Sequence, residues 1–323
     1  MSSDPDAAHV DARPRLGLGL RLIGLATLVA LGVGMRDRIG EAVGVFVGAD
    51  FGTFAAAFAL YLLGLFASAL RASLWLRAWH MPSGLRSLAA DVLAATTLNA
   101  LTISGAGEGY RVHALVRRGA GTMDAWVAVV GDRLLGLGIF ALAAGVGLVW
   151  TGAAWMGLSL PGLSLVPIAL GIVGVLGLAF AKLPKLRAQV SDRVRARAMP
   201  RAALVAILAL SVVTLVAWIA SVIGLARALG LDAPMDVVAA SAPLVAVAAF
   251  LPITIGGIGV REAGYALLLA PVGVSAAGGI ALGLAQYACF LGVAILGGGV
   301  LVLRSIGGAD ASRGSTSDAA LTP

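Results

Sequence analysis

Apolar runs separated by short polar breaks extend along almost the whole chain. A bilayer core about 30 Å thick needs about 20 apolar residues in a helix rising 1.5 Å per residue. Six runs meet or approach that length, at about 17–35, 51–70, 123–149, 160–181, 202–226 and 278–303. The run at 51–70 contains no charged residue. Two further apolar stretches, about 87–104 and 237–254, are shorter or interrupted. They lead into the Gly-rich breaks ISGAGEG and PITIGGIG. The pattern predicts an all-α polytopic membrane protein with eight helical hydrophobic segments.

Whether the two short segments cross the membrane follows from the basic residues. The stretch 182–201 holds Lys182, Lys185, Arg187, Arg193, Arg195, Arg197 and Arg201. Excess Lys and Arg mark loops on the cytoplasmic side. Counting back from there, a crossing at 87–104 would leave Arg13, Arg15, Arg21, Arg71, Arg77 and Arg86 outside. A re-entrant hairpin would put those six inside and leave Arg36 and Arg38 outside. The hairpin obeys the charge rule. Such backbone is tolerated at membrane depth where protein or a watery cavity satisfies it. The expected architecture is therefore six full spans plus two re-entrant hairpins, with a cytoplasmic N-terminus.

The two hairpins resemble each other at an offset of 150. Residues 101–111 read LTISGAGEGYR and residues 251–261 read LPITIGGIGVR, sharing Leu101/Leu251, Ile103/Ile253, Gly107/Gly257, Gly109/Gly259 and Arg111/Arg261. The neighbouring runs follow the same spacing, giving halves of about 17–150 and 160–304, each span, span, hairpin, span. Three crossings per half is an odd number, so the second half is expected to be inverted, a construction used by many transporters. Residues 1–16 are expected to form a polar cytoplasmic tail, 17–304 a single membrane domain, and 305–323 a disordered tail.

Composition narrows the function. Charged residues make up 12% of the chain, against about 25% in soluble proteins. The net charge of +7 is a loop signal in this setting and not a nucleic-acid footprint. The first residues, with Asp4, Asp6 and Asp11, lack the basic start of a signal peptide. Cys289 is the single cysteine, so no intramolecular disulfide forms and a cysteine metal cluster is excluded. His80 and His113 lack partners at metal-ligand spacing. No phosphate-binding loop, catalytic triad pattern or dinucleotide fingerprint is present. The sequence calls for no catalytic residue, no cofactor and no metal.

The candidate chemistry lies at the Gly breaks and in the span that follows the first of them. A helix that resumes after a break presents its positive end, which suits an anion such as phosphate. Gly107, Gly257 and Gly259 shape the breaks; Arg111 and Arg261 start the resuming helices, with Glu108 and Glu262 beside them. One reading is a pair of related head-group sites. The other is internal ion pairing, Glu108 with Arg111 and Arg261 with Glu262, that only fixes the hairpins. Asp132 and Arg133 are adjacent in a span and point about 100° apart. Each therefore needs a partner on another element, either in a polar cavity or in a structural network. Asp91 and Asn99 fall two turns apart on the first hairpin, on faces that can line one cavity; the other reading of Asn99 is a hydrogen-bonding link between helices. Arg71 and Arg77, with Trp75 and Trp79, read first as an interfacial anchor belt, with a lipid-phosphate contact as the second reading.

The strings LNALTISGAGEGYRVHALVRRG, VVGDRLLGL and LPITIGGIGVREAGYALLL, together with LRASLWLRAW, resemble the transmembrane domain of lysylphosphatidylglycerol synthases and related stand-alone flippase-like membrane proteins. The likeness runs from about 17 to 304. Glu108, Arg111, Arg133, Gly256, Gly257, Gly259, Arg261 and Glu262 match the family's characteristic positions. The sequence departs from the family in having Ser104-Gly105-Ala106-Gly107 where Pro usually precedes the GE, and Asp132 where Glu is common. The resemblance implies a bacterial-type inner-membrane protein that moves a lipid, a phospholipid or another polar-head lipid, between leaflets; membrane lipids with an anionic head group are the expected partners. The synthases also carry a soluble aminoacyl-transferring domain. Only residues 305–323 follow the last span here, so that activity is not expected. Two alternatives share the architecture: a membrane subunit that presents lipid to a separate lipid-modifying enzyme, and an intramembrane transferase acting on a lipid-linked substrate. A homo-oligomer is compatible with each.

Overall fold

The computed structural model describes residues 44–155 and 184–318, apart from 46, 83, 103–104, 198 and 251–256. The predicted spans at 17–35 and 160–181 and the tail at 1–16 lie outside the described residues. So do Gly256 and the final residues of the stretch at 237–254.

Nine helices and one 3₁₀ turn, and no strand, occur among the described residues. They are α1 (Phe51–Ala78), α2 (Leu85–Leu101), α3 (Ala106–Arg117), α4 (Thr122–Trp155) and α5 (Pro184–Ala196). After these come α6 (Arg201–Ala228), α7 (Met235–Phe250), α8 (Val260–Leu268), the turn Ala270–Val272, and α9 (Ala276–Asp318). Four helices are long and apolar enough to cross a bilayer: α1, α4 over Thr122–Val149, α6, and α9 over Ala276–Val302. The protein is a multi-pass helical membrane protein. On α6, Val205, Val212, Val213 and Val216 are exposed at helical spacing, and α4 exposes Leu134, Leu142 and Val146. In water such stripes would be a liability; against acyl chains they are matched.

Each helix starts and stops for a local reason. Asp50 caps α1: its carboxylate accepts from Gly52 N–H at 3.1 Å and Thr53 N–H at 3.2 Å. The Thr53 hydroxyl first, and these two backbone bonds after it, hold its carboxyl below the usual range. The first break holds Gly105 at φ 121° and the second holds Gly257 and Gly259 at φ 76° and 86°. A side chain strongly resists that region. Past the last span α9 runs on to Asp318, where the sequence reading places a structureless tail. No proline interrupts that stretch before Pro323.

Both breaks fold the chain back on itself. In the first, a Cβ on Gly107 would collide with the Ala95 carbonyl, and further along Arg118 reaches Asp91. Those two contacts make α2 and α3 antiparallel. In the second, Gly257 faces Ala249 and Gly264 lies against Val245, so α7 and α8 are antiparallel as well.

Small residues set the pairing of the long helices. α1 and α6 run antiparallel in close contact, with Gly224 on Ala57 and Gly64 against Thr214 and Ala217. The Ser221 hydroxyl donates to the Ala57 carbonyl at 2.8 Å. Gly147 of α4 packs on Ala240 of α7, and Gly297 of α9 packs on the Leu93 backbone of α2. These two glycines are themselves 150 residues apart. Close backbone approach through small residues is the main source of helix association in lipid, where the hydrophobic effect between spans is absent.

One end of the bundle carries Arg77 and Arg117, in the last turns of α1 and α3. Leu76, Trp79 and Met81 pack there with Leu88, Val112, Leu115, Ala125 and Val129. The end of α1, the start of α2, the end of α3 and the start of α4 thus share one side. α5 is fastened to the same end: Asp124 accepts from Arg193 at 3.0 Å and Arg197 at 2.7 Å, and Arg197 lies 5.6 Å from the Trp79 ring.

Candidate functional site

A cavity of about 260 Å³ opens between α1, α4, α6 and the two hairpins. Asn99, Glu108, Arg111, Asp132, Arg133 and Arg261 all line it. The sequence reading put Arg111 and Arg261 in two related sites; the structure brings both to one. Arg71 is a fourth lining arginine. It is only 5% exposed, so it is not the interfacial anchor that its position after the apolar run suggests. α1 continues to Ala78, which leaves Arg71 inside the bundle and the anchoring position to Arg77.

Two acidic groups organise the arginines. Asp132 accepts from Arg71 Nε at 2.9 Å and, more loosely, from Arg111 Nη1 and Nη2 at 3.5 and 3.4 Å. Arg71 also donates to the Asp132 carbonyl at 3.3 Å and to Ser211 at 3.5 Å. Glu108 pairs with Arg133, and its second oxygen has no hydrogen-bond partner among the described residues. Asp132 and Arg133 thus find partners on other elements, as their geometry on one helix requires. The Glu108–Arg111 pairing along α3, one of the two readings of the sequence, gives way to these cross-element bonds. A burial cost of about 2.5–3.5 kcal/mol per charge at membrane depth makes such pairing necessary.

Glycines make room for the guanidinium groups. A Cβ on Gly136 would sit 3.2 Å from Arg71 Nη2, and one on Gly257 would sit 3.1 Å from the Arg261 guanidinium. Arg261 lies 5.4 Å from the centre of the Phe290 ring and 6.0 Å from that of Tyr287. Arg133 lies 5.3 Å from the Phe250 ring. Cation–π contacts of this kind hold an arginine without neutralising it.

The resuming helices are already capped by the chain. Asn99 Oδ1 accepts from Gly105 N–H at 3.1 Å and Gly107 N–H at 2.9 Å. Glu262, buried behind the cavity wall, accepts from Gly259 N–H at 2.6 Å. Anion attraction in this cavity therefore comes from the side chains more than from open helix ends. Gly107, Gly257 and Gly259 do not line it; they shape the turns and the close packing. Asp91 is also elsewhere, held by Arg118, so it does not share the Asn99 cavity.

Tyr61, Phe140, Trp218, Phe250 and Phe290 form an aromatic part of the wall, which the sequence reading did not single out. Tyr61 and Trp218 lie 5.1 Å apart, Phe140 and Trp218 5.9 Å, and Phe140 and Phe250 6.5 Å. Their spacing gives no sign of it, because they come from four helices. Four arginines face two carboxylates in the cavity, a formal excess of two positive charges, or one if Glu262 is counted. Guanidinium groups suit the planar or tetrahedral oxygens of carboxylate or phosphate.

The family model described as the lysylphosphatidylglycerol synthase TM region matches residues 18–298. Comparison with curated proteins gave no match.

Proposed function

Since the chain belongs to the lysylphosphatidylglycerol synthase TM-region family, we propose that it moves a lipid with an anionic head group between the leaflets of a bacterial-type inner membrane. The observation that carries this reading is the arginine-rich cavity, walled by rings and placed between two hairpins. A head group has polar contacts there while acyl chains remain among the exposed aliphatic side chains. No sequence motif for nucleotide hydrolysis is present, so movement is passive or driven by a gradient.

The architecture proposed is the inverted repeat with re-entrant hairpins. Its support is threefold. Both short helix pairs fold back on themselves; α1 and its counterpart α6 run antiparallel; and α4 packs on α7 as α9 packs on α2. Because α2 starts and α3 ends on the side where α5 is fastened, residues 85 and 119 share a compartment with the loop 182–201, taken as cytoplasm. Cysteines placed at 85 and 119, in a chain with Cys289 replaced, are expected to resist impermeant thiol reagent in intact cells. Labelling of position 85 from outside would sink the hairpin topology.

The transport reading is tested with purified protein in proteoliposomes. Phospholipids carrying a head-group fluorophore are monitored with an impermeant quencher. Protein-dependent quenching of inner-leaflet anionic lipid is expected. No translocation of any anionic or neutral phospholipid by folded protein would favour the lipid-presenting subunit.

A further inference from the structure

Asp132 holds its two arginines unequally, and the difference suggests a mechanism. Arg71 is fixed from several sides: a 2.9 Å bond to the Asp132 carboxylate, a second to its carbonyl, Ser211, and the seat left by Gly136. Among the described residues Arg111 has the long contacts of 3.4 and 3.5 Å to the other oxygen of the same carboxylate, and it lines the cavity. We propose that Asp132 is a positioning residue that parks Arg111 when the cavity is empty and releases it to an incoming phosphate. This inference rests on the transport reading above and adds how the site lets its cargo go.

The charge balance favours such an exchange. Removing one partner from a buried pair is costly because it strands a charge. Here Arg111 can leave without stranding Asp132, since Arg71 still neutralises it. A phosphate brings its own negative charge to Arg111 and can be gripped by two parallel N–H bonds. When the head group departs, Asp132 recaptures Arg111 and its charge is again shared with a carboxylate. Binding is thereby kept weak enough to be reversible, as any carrier requires. Arg261 has a different arrangement, lying over the rings of Phe290 and Tyr287. In this scheme the two hairpin arginines are not equivalent: Arg111 is the exchanging group.

Two substitutions at one position test the idea by moving the same equilibrium in opposite directions. Asp132→Asn keeps a hydrogen-bond acceptor for Arg71 but removes the charge that competes for Arg111. Asp132→Glu carries the carboxylate about 1.5 Å further, one carbon–carbon bond, and tightens its hold on Arg111. The full chain in neutral detergent is titrated with dioctanoyl phosphatidic acid, and translocation is followed separately in proteoliposomes. The expected result is binding about tenfold tighter for Asp132→Asn and about tenfold weaker for Asp132→Glu, with slower translocation in both. A general structural defect would weaken both variants together. Shifts in the same direction, or no shift, overturn the parking role while leaving the transport reading intact. Failure of the unsubstituted chain to bind this lipid overturns the transport reading and the parking role with it.

Discussion

Replacing Arg111 or Arg261 with alanine is expected to abolish measurable lipid translocation while leaving a folded protein. Removing one partner of a desolvated charge pair costs about 2–5 kcal/mol of interaction, which corresponds to a loss of about 30-fold to several-thousand-fold. The fold tolerates each change for a specific reason. Without Arg111, Asp132 keeps its 2.9 Å bond to Arg71. Without Arg261, Glu262 still caps Gly259, and the rings of Tyr287 and Phe290 remain in contact. Translocation rates in proteoliposomes, alongside size-exclusion profiles in detergent, check the outcome. Normal profiles with normal rates in both variants would mean that the head group does not pass these residues.

Arg71→Met is expected to have the largest effect on stability. It removes the best-fixed cation of the cavity from a site that is almost wholly buried and leaves Asp132 dependent on the long contacts to Arg111. Breaking a buried pair from one side costs about 3–5 kcal/mol, enough to lower the melting temperature in detergent by many degrees. Replacing both partners with apolar residues of similar volume is often close to neutral. Arg71→Met combined with Asp132→Leu is therefore expected to recover most of the lost stability but no transport. A single variant that melts like the parent chain would return Arg71 to the role of an interfacial anchor.

The origin of these expectations in the sequence is uneven. The four long helices follow the apolar runs closely, because a span has to satisfy its backbone internally and remain greasy over a fixed length. The folding-back of each short helix pair was legible from the Gly breaks, whereas the re-entrant topology argued from the arginines belongs to the proposal. Asp132 and Arg133 announced the need for cross-element partners, since neighbours on a helix point apart. Their identities were not legible. Arg71 was hidden by the end of the apolar run at residue 70, although the helix continues to Ala78. Nothing local to Arg71 distinguishes a snorkelling arginine from one that meets a carboxylate 61 positions away. The aromatic wall was invisible for the same reason: Tyr61, Phe140, Trp218 and Phe250 come from four separate elements, so no periodicity joins them. Glycine also played two parts that composition does not separate. Gly147 and Gly297 bring helices together, whereas Gly136 and Gly257 leave space for a guanidinium.

The merging of the two hairpin arginines into one cavity has a consequence for the repeat. If the halves are related by inversion, their contributions have diverged: Glu108, Asp132, Arg133 and Asn99 have Ile258, Leu282, Gly283 and Ala249 at the offset of 150. Most of the polar groups come from the first half, and the second supplies Arg261 and part of the wall. A carrier with an unequal site between two similar halves has a built-in difference between its two faces, which bears on the direction of movement.

The central claim is that the head group occupies this cavity, and photochemical trapping tests it most directly. An anionic phospholipid with a photoreactive group on its head is reconstituted with the unsubstituted chain, irradiated, and the adducts are mapped by mass spectrometry. The account predicts adducts on Tyr61, Phe140 and Trp218, lost when Arg111 or Arg261 is replaced. Adducts confined to outward-facing residues such as Leu142 and Val146, and unchanged by those substitutions, would contradict it.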